Sequence, residues 1–188
     1  MATTRPDRLH FTGADEADEL LAREPFALLV GFALDQQVPV QTAFSGPLKL
    51  KQRLGTLDPK AIAGADPAQL EAIFREKPAI HRFPGTMAER VQDLASGVVE
   101  DYGGDAERVW REAADGDDLR RRLGALPGFG RMKVTALGAV LAKRFGVPAA
   151  QELVPSFPTL GDVDSAEALE DYQAKKRAYK ASLRAKQS

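Results

Sequence analysis

The sequence predicts an all-α fold, a helical bundle. No stretch alternates apolar and polar residues over the length of a strand. Several stretches carry helical spacing instead. The clearest is Met87 to Tyr102, with Val91, Leu94, Ala95, Val98 and Val99 on one face. Glycine and Asp-Pro pairs punctuate the chain where helices would stop and start. A chain of 188 residues that is 44% hydrophobic holds enough apolar material for one core, so residues 1–188 read as a single domain.

Met1 to Gly13 is polar and is expected to be poorly ordered. Ala14 to Leu21 reads as a short helix capped by Thr12 or Gly13, with acids in its first turn. Pro25 suits the first position of a second helix. Phe26 to Asp35 is apolar all round, which marks a buried helix. Thr42 to Leu54 continues as a helix that Gly46-Pro47 would kink or restart. Asp58-Pro59 and Asp66-Pro67 each look like an aspartate cap followed by proline in the first turn. Lys77 to Gly85 is a proline-bearing connector. It holds His81, and a lone loop histidine is ordinarily solvated or bonded to backbone. Gly103-Gly104 ends the amphipathic helix, and a short helix with Trp110 follows. Asp117 to Gly124 and Lys133 to Phe145 read as two helices flanking a turn, and Asp164 to Gln187 as the last helix.

Composition narrows the function. There is no cysteine, which removes disulfides, thiolate zinc sites and iron–sulfur clusters. Two histidines cannot build a histidine metal site, so no side-chain metal site is expected. No apolar run approaches the ~20 residues that span a bilayer, and Met1 to His10 lacks an apolar signal core, so the expectation is a cytoplasmic protein. Net charge is −1, but it is unevenly distributed. From Arg120 to Arg144 there are seven basic residues, Arg120, Arg121, Arg122, Arg131, Lys133, Lys143 and Arg144, and no acid. The C-terminal stretch is basic too, with Lys175, Lys176, Arg177, Lys180, Arg184 and Lys186 against Asp171. A polarised surface can bind a polyanion on one face.

The turn between the two late helices is Leu126-Pro127-Gly128-Phe129-Gly130-Arg131. Two glycines two residues apart let the backbone fold tightly and expose consecutive N–H groups. At a helix start such groups make an anion site suited to phosphate. Leu-Pro-Gly-x-Gly-Arg between two helices resembles the hairpin of the helix-hairpin-helix (HhH-GPD) DNA glycosylases. The resemblance implies an HhH-GPD-type fold in which Leu126, Gly128, Gly130, Arg131 and Lys133 lie at a duplex phosphate. It also implies a monovalent cation held by hairpin backbone carbonyls. Residues 26–146, including hairpin 126–131, would form the helical lobe; residues 1–25 and 147–188 would pack as a second lobe or tail.

A second likeness lies at Leu34-Asp35-Gln36-Gln37. An apolar helix running into this sequence resembles the family's minor-groove loop, whose glutamine fills the space left by a flipped base. By register Gln37 matches, with Gln36 beside it. An amide carries both donors and an acceptor, so it can bond to the orphaned partner base. Filling the gap offsets part of the few kcal/mol that extrusion costs.

The resemblance also sets what the catalytic groups should be. Family members carry an aspartate after the hairpin helix. The known spacings from Gly128 land on Ala150 or Glu152, while Val163-Asp164-Ser165 looks like the family's Val-Asp-Thr; Asp162 is a third candidate. Asp164 also suits a capping box with Glu167. A carboxylate would stabilise positive charge on the sugar and orient water. Bifunctional members carry lysine directly after the hairpin arginine. Here that residue is Met132, which would line the base pocket or pack, and Lys133 is one position on, about 100° around the helix.

The expectation is therefore a monofunctional DNA glycosylase of base-excision repair. It would be a nucleoid-associated monomer, acting without cofactor on double-stranded DNA that holds a damaged or mismatched base. Water would be its nucleophile, assisted by Glu152 or Asp164. The rival readings are a non-catalytic helix-hairpin-helix protein that recognises distorted DNA, and a helical module whose basic block binds an acidic protein.

Overall fold

The computed structural model describes residues 4–187. Its α-helices are α1 (Asp15–Arg23), α2 (Pro25–Leu34), α3 (Val40–Leu54), α4 (Pro59–Ala63), α5 (Pro67–Arg75), α6 (Pro84–Tyr102), α7 (Arg108–Arg111), α8 (Gly116–Gly124), α9 (Arg131–Lys143) and α10 (Ala166–Lys186). Short 3-10 helices at Pro148–Leu153 and Leu160–Asp162 lie between α9 and α10. There is no strand among the described residues, and no described helix is long and apolar enough to cross a membrane.

The apolar helix α2 is the axis of the core. Every residue from Phe26 to Leu34 is buried. Gly31 lets α3 approach: a Cβ there would sit 2.4 Å from Phe44 Cδ1. The Phe44 ring meets Phe11 and Phe32 edge-on, each with centroids 5.0 Å away, a favoured aromatic geometry. Helix α3 runs unbroken through Pro47, and the close seat of Gly46 on Leu34 holds it there.

Asp58 and Asp66 cap α4 and α5 by accepting from Lys60 N and Ala68 N, as their Asp-Pro sequences indicate. Helix α6 packs on both and begins three residues earlier than its periodicity suggests, because Pro84 occupies its first turn. The two 3-10 segments fold back along α9. Gly161 allows the tightest approach there; a Cβ would lie 2.6 Å from Ala139 O.

Three sequence expectations fail, two of them at helix entries. The N-terminal stretch is not loose over its described part, because Leu9 and Phe11 are fully buried. It is tied down by Asp18, whose Oδ1 accepts from Phe11 N and Thr12 N, 3.0 Å each. Met1 to Thr3 lie outside the described residues. Ala14, not Thr12 or Gly13, occupies the cap position of α1, without a side-chain cap bond. Likewise Ser165, not Asp164, caps α10, its Oγ accepting from Ala168 N at 3.0 Å. The capping box forms one turn earlier, where Thr159 and Asp162 bracket the second 3-10 helix.

The two glycines at 161 and 124 should respond oppositely to alanine. Gly161→Ala drives a methyl into backbone and should cost about 2 kcal/mol in urea denaturation, within the range for overpacking. At Gly124, the last residue of α8, nothing lies within 4 Å, so Gly124→Ala should gain up to about 1 kcal/mol from helix propensity alone.

Candidate DNA interface

The hairpin between α8 and α9 is held by its apolar residues and presented by its glycines. Leu126 and Phe129 are buried, and Phe129 N donates to Leu126 O at 3.1 Å. Gly128 takes φ +83°, a conformation that side-chain-bearing residues rarely adopt. Gly130 is extended at the N-cap of α9 and supplies no side-chain cap. Among the described hydrogen bonds, the N–H groups of Gly128, Gly130, Arg131, Met132 and Lys133 therefore have no acceptor. That row of donors sits at the positive end of a helix dipole and matches a phosphate. The carbonyls of Pro127, Gly128 and Phe129 also accept nothing among the described bonds, leaving oxygen donors of the kind a monovalent cation takes.

The glutamine loop stands beside the hairpin. Gln36 N bonds to Leu34 O at 2.7 Å, and Gln37 is left-handed at φ +58°, the one described non-glycine residue in that region. Such strain costs of order 1–2 kcal/mol and needs surrounding structure to hold it. His81 supplies part of that structure. It is only 1% exposed. Its Nε2–H is shared between Leu34 O (3.1 Å) and Gln36 O (3.0 Å), while Nδ1 accepts from Phe83 N at 3.0 Å. That pattern requires the neutral ring, and burial lowers its pKa below the ordinary histidine value. Of the two expectations for this loop histidine, solvated or bonded to backbone, the second holds, and the ring is buried as a clamp on the loop.

Arg90 of α6 joins the two elements. Its Cδ lies 3.0 Å from where a Gly128 Cβ would be, so the side chain crosses directly over the turn. Its Nη1 then donates to Gln36 Oε1 at 2.5 Å. Seven residues on, Gly97 makes room for Pro127 of the hairpin, 3.1 Å from a Cβ built there. The Gln36 amide is thereby engaged, whereas the exposed Gln37 side chain has no partner among the described contacts.

Lys133, in the first turn of α9, points inward. Its Nζ donates to Ala33 O at 3.1 Å, at the C-terminal end of α2 where carbonyls lack helix partners. Burial and then Arg90 lower its pKa, with Asp35 opposing. Met132, at the position of the family's lysine, is 87% exposed and touches no cavity described here. Arg131 is exposed and has no ion-pair partner among the described residues.

Much of the basic block is neutralised within the protein. Arg120 pairs with Asp117, Arg121 and Arg122 with Asp118, and Lys143 with Asp162. The three carboxylate candidates are scattered. Glu152 packs over Gly116 at the start of α8, about 12 Å along that helix from the hairpin. Asp162 is committed to the Thr159 box and to Lys143. Asp164 is exposed just before the Ser165 cap. The carboxylate that lies with the loop and hairpin is Asp35, which the sequence reading passed over. Burial raises its pKa, against Lys176 and Lys133. The signal available for it was a charged residue ending an otherwise wholly apolar helix.

The described cavities lie elsewhere. One of about 270 Å³ is lined by Arg5, Pro25, Leu28, Glu107, Trp110 and Phe145, and one of about 350 Å³ by residues including Arg23, Lys51 and Leu57. Both border the N-terminal end of α2, the opposite end from Gln36. No group of three or more histidine, cysteine, aspartate or glutamate side chains able to hold a metal occurs among the described residues.

A family model for the HhH-GPD superfamily base excision DNA repair protein matches residues 30–176, most of the chain. The protein belongs to that superfamily. No curated protein and no solved structure matches it. The matched span contains the glutamine loop, Arg90, the hairpin and the root of α10.

The His81 clamp has a pH consequence. Its folded pKa is lowered, so the stabilisation it gives is complete above the unfolded value of ~6.5 and is lost as pH falls from there through the folded value. Stability should therefore decline below about pH 6.5. His81→Gln should be less stable at pH 7 by roughly 1–3 kcal/mol, through the unsatisfied buried groups it leaves, and should lack that part of the decline. Denaturant melts across pH 5–8 read both.

Proposed function

We propose that this protein is a monofunctional DNA glycosylase that removes a damaged or mismatched base from duplex DNA. The observation that carries the reading is the joining of a phosphate-ready hairpin to a glutamine loop by Arg90, with Lys133 of the hairpin helix turned inward. The hairpin amides and Arg131 hold one phosphate. Gln37 enters the stack as the base leaves, its amide free to bond to the partner base. Lys133 is engaged at Ala33 O and is not presented as an amine nucleophile, so water attacks the sugar carbon. Positive charge then builds on the sugar, and a carboxylate stabilises it. Asp35, at the loop, and Asp164, before α10, are the candidates kept for this role; Glu152 stands at the other end of the hairpin helices. The spare hairpin carbonyls offer donors for a monovalent cation, and no step depends on one.

A panel of duplexes holding uracil, alkylated purine, oxidised guanine or a mismatch tests this. Strand breaks should appear only after hot alkali, and borohydride should trap no protein–DNA adduct. Gln37→Ala should slow cleavage by tenfold or more, a roughly 1.4 kcal/mol loss. Asp35→Asn and Asp164→Asn separate the carboxylates, since loss of the working one should cost about 10²-fold or more. Breaks without alkali, trapped by borohydride and abolished by Lys133→Gln, would overturn the monofunctional reading. Exposure of Met132 at the lysine position favours a second reading, a non-catalytic binder of distorted DNA. Intact binding with no abasic product on any duplex would select it.

A further inference from the structure

Helix α10 has two halves. The first is anchored: Leu169 is buried, Tyr172 is half-buried, and Gln173 exchanges amide hydrogen bonds of 3.2 and 2.8 Å with Gln41 of α3. Lys176 lies 5.7 Å from the Tyr172 ring and acts on the Asp35 carboxylate. The root of the helix is thus fastened to the segment that carries Gln36 and Gln37. The second half leaves the protein. Every described residue from Ala174 onward is exposed, including Tyr179 at 64% and Leu183 at 42%. Residues 177–186 extend about 15 Å past the anchor.

The charge of this free half is all of one sign. After Asp171 the chain has no acid. Lys176, Lys180 and Arg184 follow at four-residue spacing, so the face that meets Asp35 continues outward as a stripe of cations. Like charges at that spacing disfavour an isolated helix, and a helix with so little burial gains little from packing. A polyanion laid along the stripe would remove the repulsion. Unlike the hairpin block, whose arginines are paired with Asp117 and Asp118, Arg177 and Lys180 have no ion pair among the described residues, and the acid of this stretch, Asp171, is paired with Lys175.

We propose that the outer half of α10 is a basic arm that grips the phosphate backbone of the same duplex, beyond the hairpin and glutamine loop, through Lys180, Arg184 and their neighbour Arg177. This rests on the duplex-binding reading above. The arm enlarges the footprint without reading bases, because phosphate contacts position the protein and carry no sequence.

Duplex binding measured against salt concentration tests the arm. Each phosphate contact contributes about −0.9 to the slope of log Kobs against log salt. Lys180→Gln/Arg184→Gln should make the slope shallower by about 2 and weaken binding at 50 mM salt about tenfold or more. A double variant of equal charge change on distant helices and loops, Lys60→Gln/Lys77→Gln, should leave the slope within error of wild type. Circular dichroism should show both variants folded. If the arm variant binds with wild-type slope and affinity while Gly128→Ala still weakens binding, the arm is wrong and the duplex reading stands. If the distant variant shifts the slope equally, the effect is net charge and the arm is also wrong. Absence of any duplex binding by the wild-type protein overturns both.

Discussion

The passage of Arg90 across Gly128 is the contact on which the interface depends. Glycine at the turn makes room for it, because a methyl there would meet the arginine stem at 3.0 Å and the stem would have to give by a few tenths of an ångström. Gly128 thus meets two needs at once, a left-handed backbone and a channel for a side chain from another helix. Helix α6 behaves as a rail for the hairpin. Gly97 receives Pro127 at one point and Arg90 covers Gly128 at another, seven residues apart on one face. From there the guanidinium reaches Gln36, so one side chain links the hairpin to the glutamine loop. His81 and Lys133 fasten the same loop from behind, each through carbonyls that the end of α2 leaves without helical partners.

Charge follows a similar division. Net charge near zero does not forbid binding to a polyanion when acids are spent on internal pairing. Asp117, Asp118 and Asp162 pair with arginines and a lysine that a count along the chain would credit as unpaired positive charge. What remains at the hairpin is chiefly Arg131 and backbone N–H groups. Backbone donors carry no net charge, keep their positions, and suit recognition of a phosphate by geometry.

Much of this was legible in the residues. The all-α class, the buried α2, the Asp-Pro helix starts and the hairpin each rest on local rules of period, capping or glycine conformation, which act within a few residues. The remainder depends on which distant segments meet. Leu9 and Phe11 sit alone in polar sequence, and only the folded core gives them a place, with Phe11 edge-on to Phe44. Asp164 and Ser165 are both good caps, and a single residue of register decided for Ser165. Arg90 reads as one more charge on the outer face of an amphipathic helix, since nothing in its neighbourhood along the chain reveals the turn it crosses. The rotation of Lys133 away from the position of Met132 followed from helix geometry, but its destination at Ala33 O did not. Glu152 fitted a spacing along the chain, yet the 3-10 turn carries it to the start of α8.

A double-mutant cycle between Arg90→Ala and Gln36→Ala, read as the dissociation constant of a lesion-containing duplex, tests the joined edge most directly. Residues in one hydrogen-bonded unit should couple by about 0.5–3 kcal/mol. A coupling in that range, with both single variants folded, is the result expected if Arg90 holds the loop to the hairpin. Additivity within about 0.3 kcal/mol would mean that hairpin and loop bind DNA independently, and would contradict the account.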